Sequence, residues 1–252
     1  MSRNEHFDTG SLTRLDISLA WATLELTSDA VDSLQLIVAG TPEDEEDLRI
    51  SSESGVLRVE QPAYGLSTRI NTERWLQVSV RIPRDWKGEL SAGTISGLLR
   101  ARGLSGSDFG FSTVTGALRV RELTAMTLAL RTVSGTLSAG TLKADTLSLR
   151  TVSGDVTVEN ARVQRLKATV VSGDMNLELT EPPQRVDISG ISGDIGLTVP
   201  TDRASISLRA VSGKLRTAGV ETADEGPVIS ATTVAGNLTV TRRVPDAAKA
   251  EE

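Results

Sequence analysis

The chain has 252 residues, 38% of them hydrophobic and only 3% aromatic, with a formal net charge of −6. It has no cysteine and one histidine, His6, which excludes a disulfide framework, a thiolate nucleophile and a Cys-type zinc site, and nearly excludes a Ser-His-Asp or His-metal constellation. With a pI near 5.1 and no basic stripe, nucleic-acid binding is disfavoured, and no apolar run reaches the length of a membrane span.

Residues 1–11 read as a disordered N-terminal tail. The stretch Met1 to Asp8 has no apolar core of signal-peptide length, so the chain as it stands is expected in the cytoplasm, or at the envelope if targeted by another route.

Residues 12–93 read as irregular N-terminal turns and a cap. Strand-like runs lie at Leu15 to Leu19, Ala22 to Leu26, Leu34 to Val38, Leu48 to Ser51, Val56 to Val59 and Leu76 to Ile82. Residues 1–60 hold 13 acidic and 4 basic residues, a net −9, and the run Glu43 to Asp47 reads as a solvated loop between strands. Every aromatic residue (Phe7, Trp21, Tyr64, Trp75, Trp86, Phe109, Phe111) precedes position 112. Large side chains cover the open core of a repeat array well, so capping is the first reading of this cluster. A binding patch of Trp21, Trp75 and Trp86 for a sugar or peptide is the second.

From residue 94 to 243 a regular beat takes over. Ser-Gly, with Thr115 and Ala235 replacing the serine in two copies, recurs with its glycine at 97, 116, 135, 154, 173, 193, 213 and 236. The steps are 19, 19, 19, 19, 20, 20 and 23 residues, and a fixed period means a structural unit repeated by stacking. In one copy Leu147 and Leu149 alternate with Ser148 and Arg150, then Val156 and Val158 alternate with Asp155 and Thr157, the period-two signature of half-buried strands. The leucines lie on odd positions whereas Val152, Val156 and Val158 lie on even ones, so parity must switch at the Ser-Gly corner, where glycine supplies the backbone freedom. Equivalent apolar sets are Leu128, Leu130, Val133, Leu137 and Ile206, Leu208, Val211, Leu215.

A 19–20-residue unit is too short for a strand-helix-strand crossover, which takes roughly 30 residues or more. The expected fold is all-β: a single-domain right-handed parallel β-helix, or β-solenoid, over residues 12–243, with 19–20-residue turns and a diverged N-terminal capping region. Its eight regular turns make a rod about 40 Å long at the usual strand spacing. Residues 244–252 read as a disordered charged C-terminal tail.

Stacking builds columns. Asp155, Asp174 and Asp194 follow their glycines in one column, a row that could bind divalent cations or act on a polymer. Exposed carboxylates about 5 Å apart repel by only about 0.8 kcal/mol in water, so the row needs no metal to exist. Arg131, Arg150, Thr169, Ser189 and Arg209 form a second, solvent-facing column. No G-x-S-x-G elbow, P-loop or dinucleotide-binding glycine motif occurs, and no catalytic residue, cofactor site or metal site is assigned.

The succession Leu15-Asp16-Ile17-Ser18 with Trp21, Gly55-Val56-Leu57-Arg58-Val59, Val78-Ser79-Val80-Arg81-Ile82-Pro83 and the Val-Ser-Gly-Asp-Val repeats resembles the bacterial "putative adhesin", β-strand-repeat family, a domain of unknown function. The resemblance covers residues 12–243. It implies a β-solenoid without an established enzymatic activity, some of whose relatives are linked to cell-envelope stress.

Three functions are weighed. The first is a non-catalytic scaffold or interaction module for a protein or cell-envelope partner of unknown identity. The second is a self-assembling, bactofilin-like polymer, a homo-oligomer through the solenoid ends, which the charged residues after Thr241 could block. The third is a glycan-active β-helix enzyme, which needs an acidic groove that the repeats do not assemble.

Overall fold

The structure, a computed structural model, describes residues 2–62 and 75–243, with Ser2 as backbone alone. Tyr64 and the expected tail at 244–252 lie outside the described residues.

Period-two alternation produces strands from the start of the chain: β1 (Ser2–Phe7), β2 (Arg14–Asp29) and β3 (Leu34–Gly40). The segment read as a disordered tail is therefore corrected, because β1 pairs antiparallel with β3 from Ser2 opposite Ala39 to Phe7 opposite Leu34. That pairing satisfies an otherwise open edge of β3, and Phe7 packs against the core.

The acidic run is corrected too. It forms a short helix, α1 (Pro42–Asp47), with Thr41 as N-cap accepting from the Asp44 N–H. Proline at the first position and carboxylates beside the positive helix end explain why this run folds rather than remaining a loop. Strands β4 (Arg49–Glu53), β5 (Val56–Glu60) and β6 (Leu76–Pro83) follow. β4 and β5 form an antiparallel hairpin, and β6 pairs antiparallel with β3. Thus β2 is a turn of the solenoid, while the strands flanking it are partly antiparallel and close the end.

The regular part comprises β7 (Glu89–Arg102), β8 (Asp108–Arg121), β9 (Leu123–Ser153), β10 (Val156–Ser172), β11 (Met175–Leu179), β12 (Arg185–Ser192) and β13 (Ile195–Val199). It ends with β14 (Arg203–Ser212), β15 (Leu215–Ala218), β16 (Glu221–Thr222), β17 (Val228–Ala235) and β18 (Leu238–Arg242). All these rungs pair in parallel, so like residues stack: Leu90 on Phe109, Phe109 on Leu128, Leu147 on Leu166 and Leu166 on Val186. The interior is a continuous ladder of Leu, Val, Ile and Ala, with Phe111, Leu118, Leu128, Leu147 and Leu177 all essentially inaccessible. The fold is an all-β solenoid.

At the C-terminal end the order in space departs from the order in sequence. β17 pairs with β12 on one side and β14 on the other, and β18 likewise lies between β13 and β15. The last coil in sequence is slotted in as the penultimate rung, and β14–β15 is the outermost. The chain segment 219–227 makes this reversal possible, and its β16 pairs with the start of β14 at Arg203 and Ala204.

Candidate interaction surface

The Ser-Gly corner organises the outside of the rod. At Gly135 φ is +147°, a region that side chains avoid, and an added Cβ would lie 1.9 Å from the carbonyl oxygen of Gly116 in the rung below. The same close approach links each glycine of the column to the one below it, through Gly236 to Gly213 at the end. Glycine is therefore a packing requirement of the corner. The corner N–H groups of Gly154, Gly173, Gly193 and Gly236 donate to the carbonyl of the residue before glycine in the next rung, as in Gly154 to Ser172 at 3.0 Å.

The carboxylate column just after the glycines is a hydrogen-bond ladder. Oδ1 of Asp155 accepts the backbone N–H of Asp174 at 3.0 Å, and Oδ1 of Asp174 accepts that of Asp194 at 2.9 Å. Oδ1 of Asp194 accepts the backbone N–H of Asn237 at 2.8 Å, and both its oxygens face the Asn237 amide at 3.0 Å. Oδ1 of Asn237 then accepts the Lys214 N–H at 3.1 Å. In sequence Lys214 is the next residue of the column after Asp194; in space Asn237 comes between them and carries the ladder on to Lys214 on the last rung. The backbone and amide N–H groups of Asn237 hold the Asp194 carboxyl below its ordinary value. One oxygen each of Asp155 and Asp174 and both oxygens of Asp194 are engaged by the next rung, and among the described residues no group of three His, Cys, Asp or Glu side chains converges on a metal-sized site.

Two residues before each glycine stands a different column. Ile95, Val114, Val133, Val152, Val171, Ile191 and Val234 are all exposed, as is Val211 on the last rung at 83%. Val152 and its equivalents read as core from their apolarity, but they point outward. The residue before them points inward: Thr94, Thr113, Thr132 and Thr151 are buried, and the hydroxyls of the first three find no partner among the described residues. The alternation of Leu147 and Leu149 simply continues to Thr151, and parity switches later, between Val152 and Val156. A signal for this was present in the sequence, since strict period two from the leucines already assigns Thr151 to the core and Val152 to the surface. The result is a straight ridge of eight β-branched side chains, each resting on those of adjacent rungs about 4.8 Å away. Arg131 and Arg150 lie on the same outer face, two residues earlier.

The three tryptophans do not form one patch. Trp86 is buried and donates its indole N–H to the Leu12 carbonyl at 2.8 Å. Trp21 is half-buried and donates to Oδ1 of Asp44 at 3.3 Å. Trp75 is 54% exposed, and its carbonyl accepts the Thr41 N–H at 3.2 Å. Trp21 and Trp75 thus both adjoin α1 and its cap, while Trp86 packs under the Leu12 segment. An open cleft of about 540 Å³ beside Trp86 is lined by Thr9, Asp85, Lys87 and Glu89 among others.

The sequence profile of Toastrack DUF4097 matches residues 35–240. The chain belongs to this family. Among solved structures, the Toastrack chain resembles a protein named a putative adhesin from Bacteroides fragilis, with 11% identity and a TM-score of 0.60 over 96% of this chain and 97% of that one. A second putative adhesin, from Parabacteroides distasonis, has 14% identity and a TM-score of 0.57 over 96% and 97% of the two chains. A putative lipid binding protein, also from Parabacteroides distasonis, has 11% identity and a TM-score of 0.51 over 96% and 97%. At these identities the likeness establishes the Toastrack fold. No curated protein matches the chain. No helix among the described residues is long and apolar enough to cross a membrane.

Proposed function

We propose that this Toastrack chain is a non-catalytic interaction module that binds a protein partner of the cell envelope side-on, along the Ile/Val ridge. The observation that carries the reading is the ridge itself: an exposed, unbroken row of eight apolar side chains held at fixed spacing by a rigid stack. Contiguous exposed apolar surface marks interaction sites, and a row of β-branched residues loses little side-chain entropy when covered. The names of the solved structures, "putative adhesin" for two and "putative lipid binding protein" for the third, agree with a binding rather than a catalytic role. The carboxylate column, the one arrangement suggestive of catalysis, is occupied by structural hydrogen bonds.

The test is a triple substitution, Val133→Lys, Val152→Lys and Val171→Lys, at exposed positions where the fold is not threatened. Binding of the purified chain to washed bacterial envelopes, with and without protease treatment, and to protein-free vesicles is measured by co-sedimentation. Saturable, protease-sensitive binding that falls at least about tenfold in the variant supports the proposal. Unchanged binding in the variant, or equal binding to protein-free vesicles, overturns it.

A further inference from the structure

Four apolar side chains pack against the core while only partly covered: Phe7, Ile50, Ile206 and Leu208. Their positions are not scattered. Phe7 lies on β1 and Ile50 on β4, the outermost strands at the N-terminal end, while Ile206 and Leu208 lie on β14 at the other end. Among the described residues β1 pairs only with β3 and β4 only with β5. β15 pairs only with β18, and β14 beyond Ala204 pairs only with β17. Both ends of the rod therefore carry sheet edges with unused backbone groups beside incompletely buried core residues, the arrangement that recruits another strand.

The two ends differ in charge. On the outermost rung β14 beyond Ala204 and β15 carry Arg209, Lys214 and Arg216 and no acidic residue, while Glu221 of β16, on the third side of that rung, stands 3.9 Å from Arg203 of the rung below. At the opposite end α1 lies between β3 and β4 and carries Glu43, Asp44, Glu45, Glu46 and Asp47, with Glu43 and Glu46 exposed. Tail-to-tail contact would set the basic strands β14 and β15 of two copies against each other, and head-to-head contact two acidic helices. Head-to-tail contact brings Arg209, Lys214 and Arg216 toward the exposed Glu43 and Glu46 and covers all four apolar side chains.

We propose that copies of this chain stack head to tail, the basic β14–β15 rung of one seated on the acidic β1–α1–β4 end of the next. Such a contact is heterologous and leaves a free end on each side, so it builds linear stacks rather than closed dimers. β18 is an interior rung, so Arg242 at its end does not cap the outermost rung. The ridge is not used, so the stack and the side-on site stand or fall separately.

The experiment is sedimentation velocity over a concentration series on the full chain, with electron microscopy of the same samples. The proposal expects species growing beyond dimers at low salt, with association weakening at least about tenfold between about 0.05 M and about 0.5 M salt as the charges are screened. Arg209→Glu with Arg216→Glu, all at exposed positions, should return the chain to monomer, and so should Glu43→Lys with Glu46→Lys. Combining all four substitutions reverses both ends and should restore stacking, an outcome that damage to the fold cannot produce. Monomers at every concentration overturn the proposal, as does a dimer that stops at two and strengthens with salt, the mark of tail-to-tail contact. A chain ended at Arg243 that stacks while the full chain stays monomeric overturns it as well, because residues 244–252 then occupy the end.

Discussion

The two ends of the solenoid solve the same problem differently. At the N-terminal end the first coil, β2, is covered by β5 along Arg14 to Ser18 and by β6, and then β3, along Thr23 to Asp29. Leu57, Val59, Val78, Val80, Leu36 and Val38 seal it with almost no exposure. The corner is served as well: Oε1 of buried Gln61 accepts the N–H groups of Ala20 and Trp21 at 3.0 and 3.1 Å. Among the described residues the C-terminal end has no such cover: Leu215 is 44% exposed and Val211 83%, with no further strand paired to β15 beyond β18. A repeating sequence can extend a stack but cannot end one; ending it requires residues that break the repeat, and at the N-terminal end these bury the first coil before the outermost edges are reached.

The largest expected effect tests how the closed end is joined to the repeats. Gly97 opens the glycine column on Ala22, whose carbonyl oxygen would lie 2.1 Å from an added Cβ, at φ +139°. Gly97→Ala should cost about 3 kcal/mol or more, combining a strained backbone with an unavoidable clash. Gly213→Ala meets the same clash, 1.9 Å from the Gly236 oxygen, but on a rung free to peel away, so its loss in urea-unfolding free energy should be less than half as large. Equal losses would show that the outer rung is held as firmly as the cap.

Buried leucines give the next contrast. Leu57 is fully buried under the hairpin of the closed end, and Leu57→Ala should cost about 2–5 kcal/mol. Leu208→Ala, at the half-covered edge, should cost about 1.5 kcal/mol or less, since the side chain gives up less apolar contact with water on folding. Gln61→Ala falls between them at about 1–3 kcal/mol, because two corner N–H groups lose their acceptor. A Gln61→Ala variant as stable as the parent would mean that water serves the first corner equally well.

These contrasts also mark what the sequence discloses. The Ser-Gly beat and the alternating leucines announce the solenoid, its rung length and the corner, because stacking forces like residues into like places. The ends are harder to read for the same reason. Nothing in the spacing of Gly213 and Gly236 says that the second is stacked before the first; the 23-residue step is the only local trace of that reversal. The helix at Glu43 to Asp47 is hidden by its composition, although Thr41-Pro42 before it is a proper helix start. The ridge was misassigned by weighing apolarity over parity: valine suits an exposed strand as well as a core, and the buried threonines before it were the informative residues.

The smallest effect concerns the ladder that runs toward the open end. Asp194 accepts from Asn237 through backbone and side-chain N–H groups, and these hold its carboxyl below the ordinary 3.8. A group whose pKa is depressed by folding adds stability that is fully present above its unfolded value and is lost as pH falls through the folded one. The ladder should therefore weaken only on acidification below about pH 4, and not between neutral pH and about pH 5. Asp194→Asn keeps an oxygen to accept the Asn237 N–H but has no proton to bind, so its urea midpoint should fall less steeply on acidification than that of the parent. Because Asn237 sits on the penultimate rung and hands its own oxygen to Lys214 on the last, the difference should be seen most clearly in hydrogen exchange of residues 205–218. Identical acid profiles there would mean that the outer rung is held by its sheet pairing alone and that the carboxylate column contributes nothing to the open end.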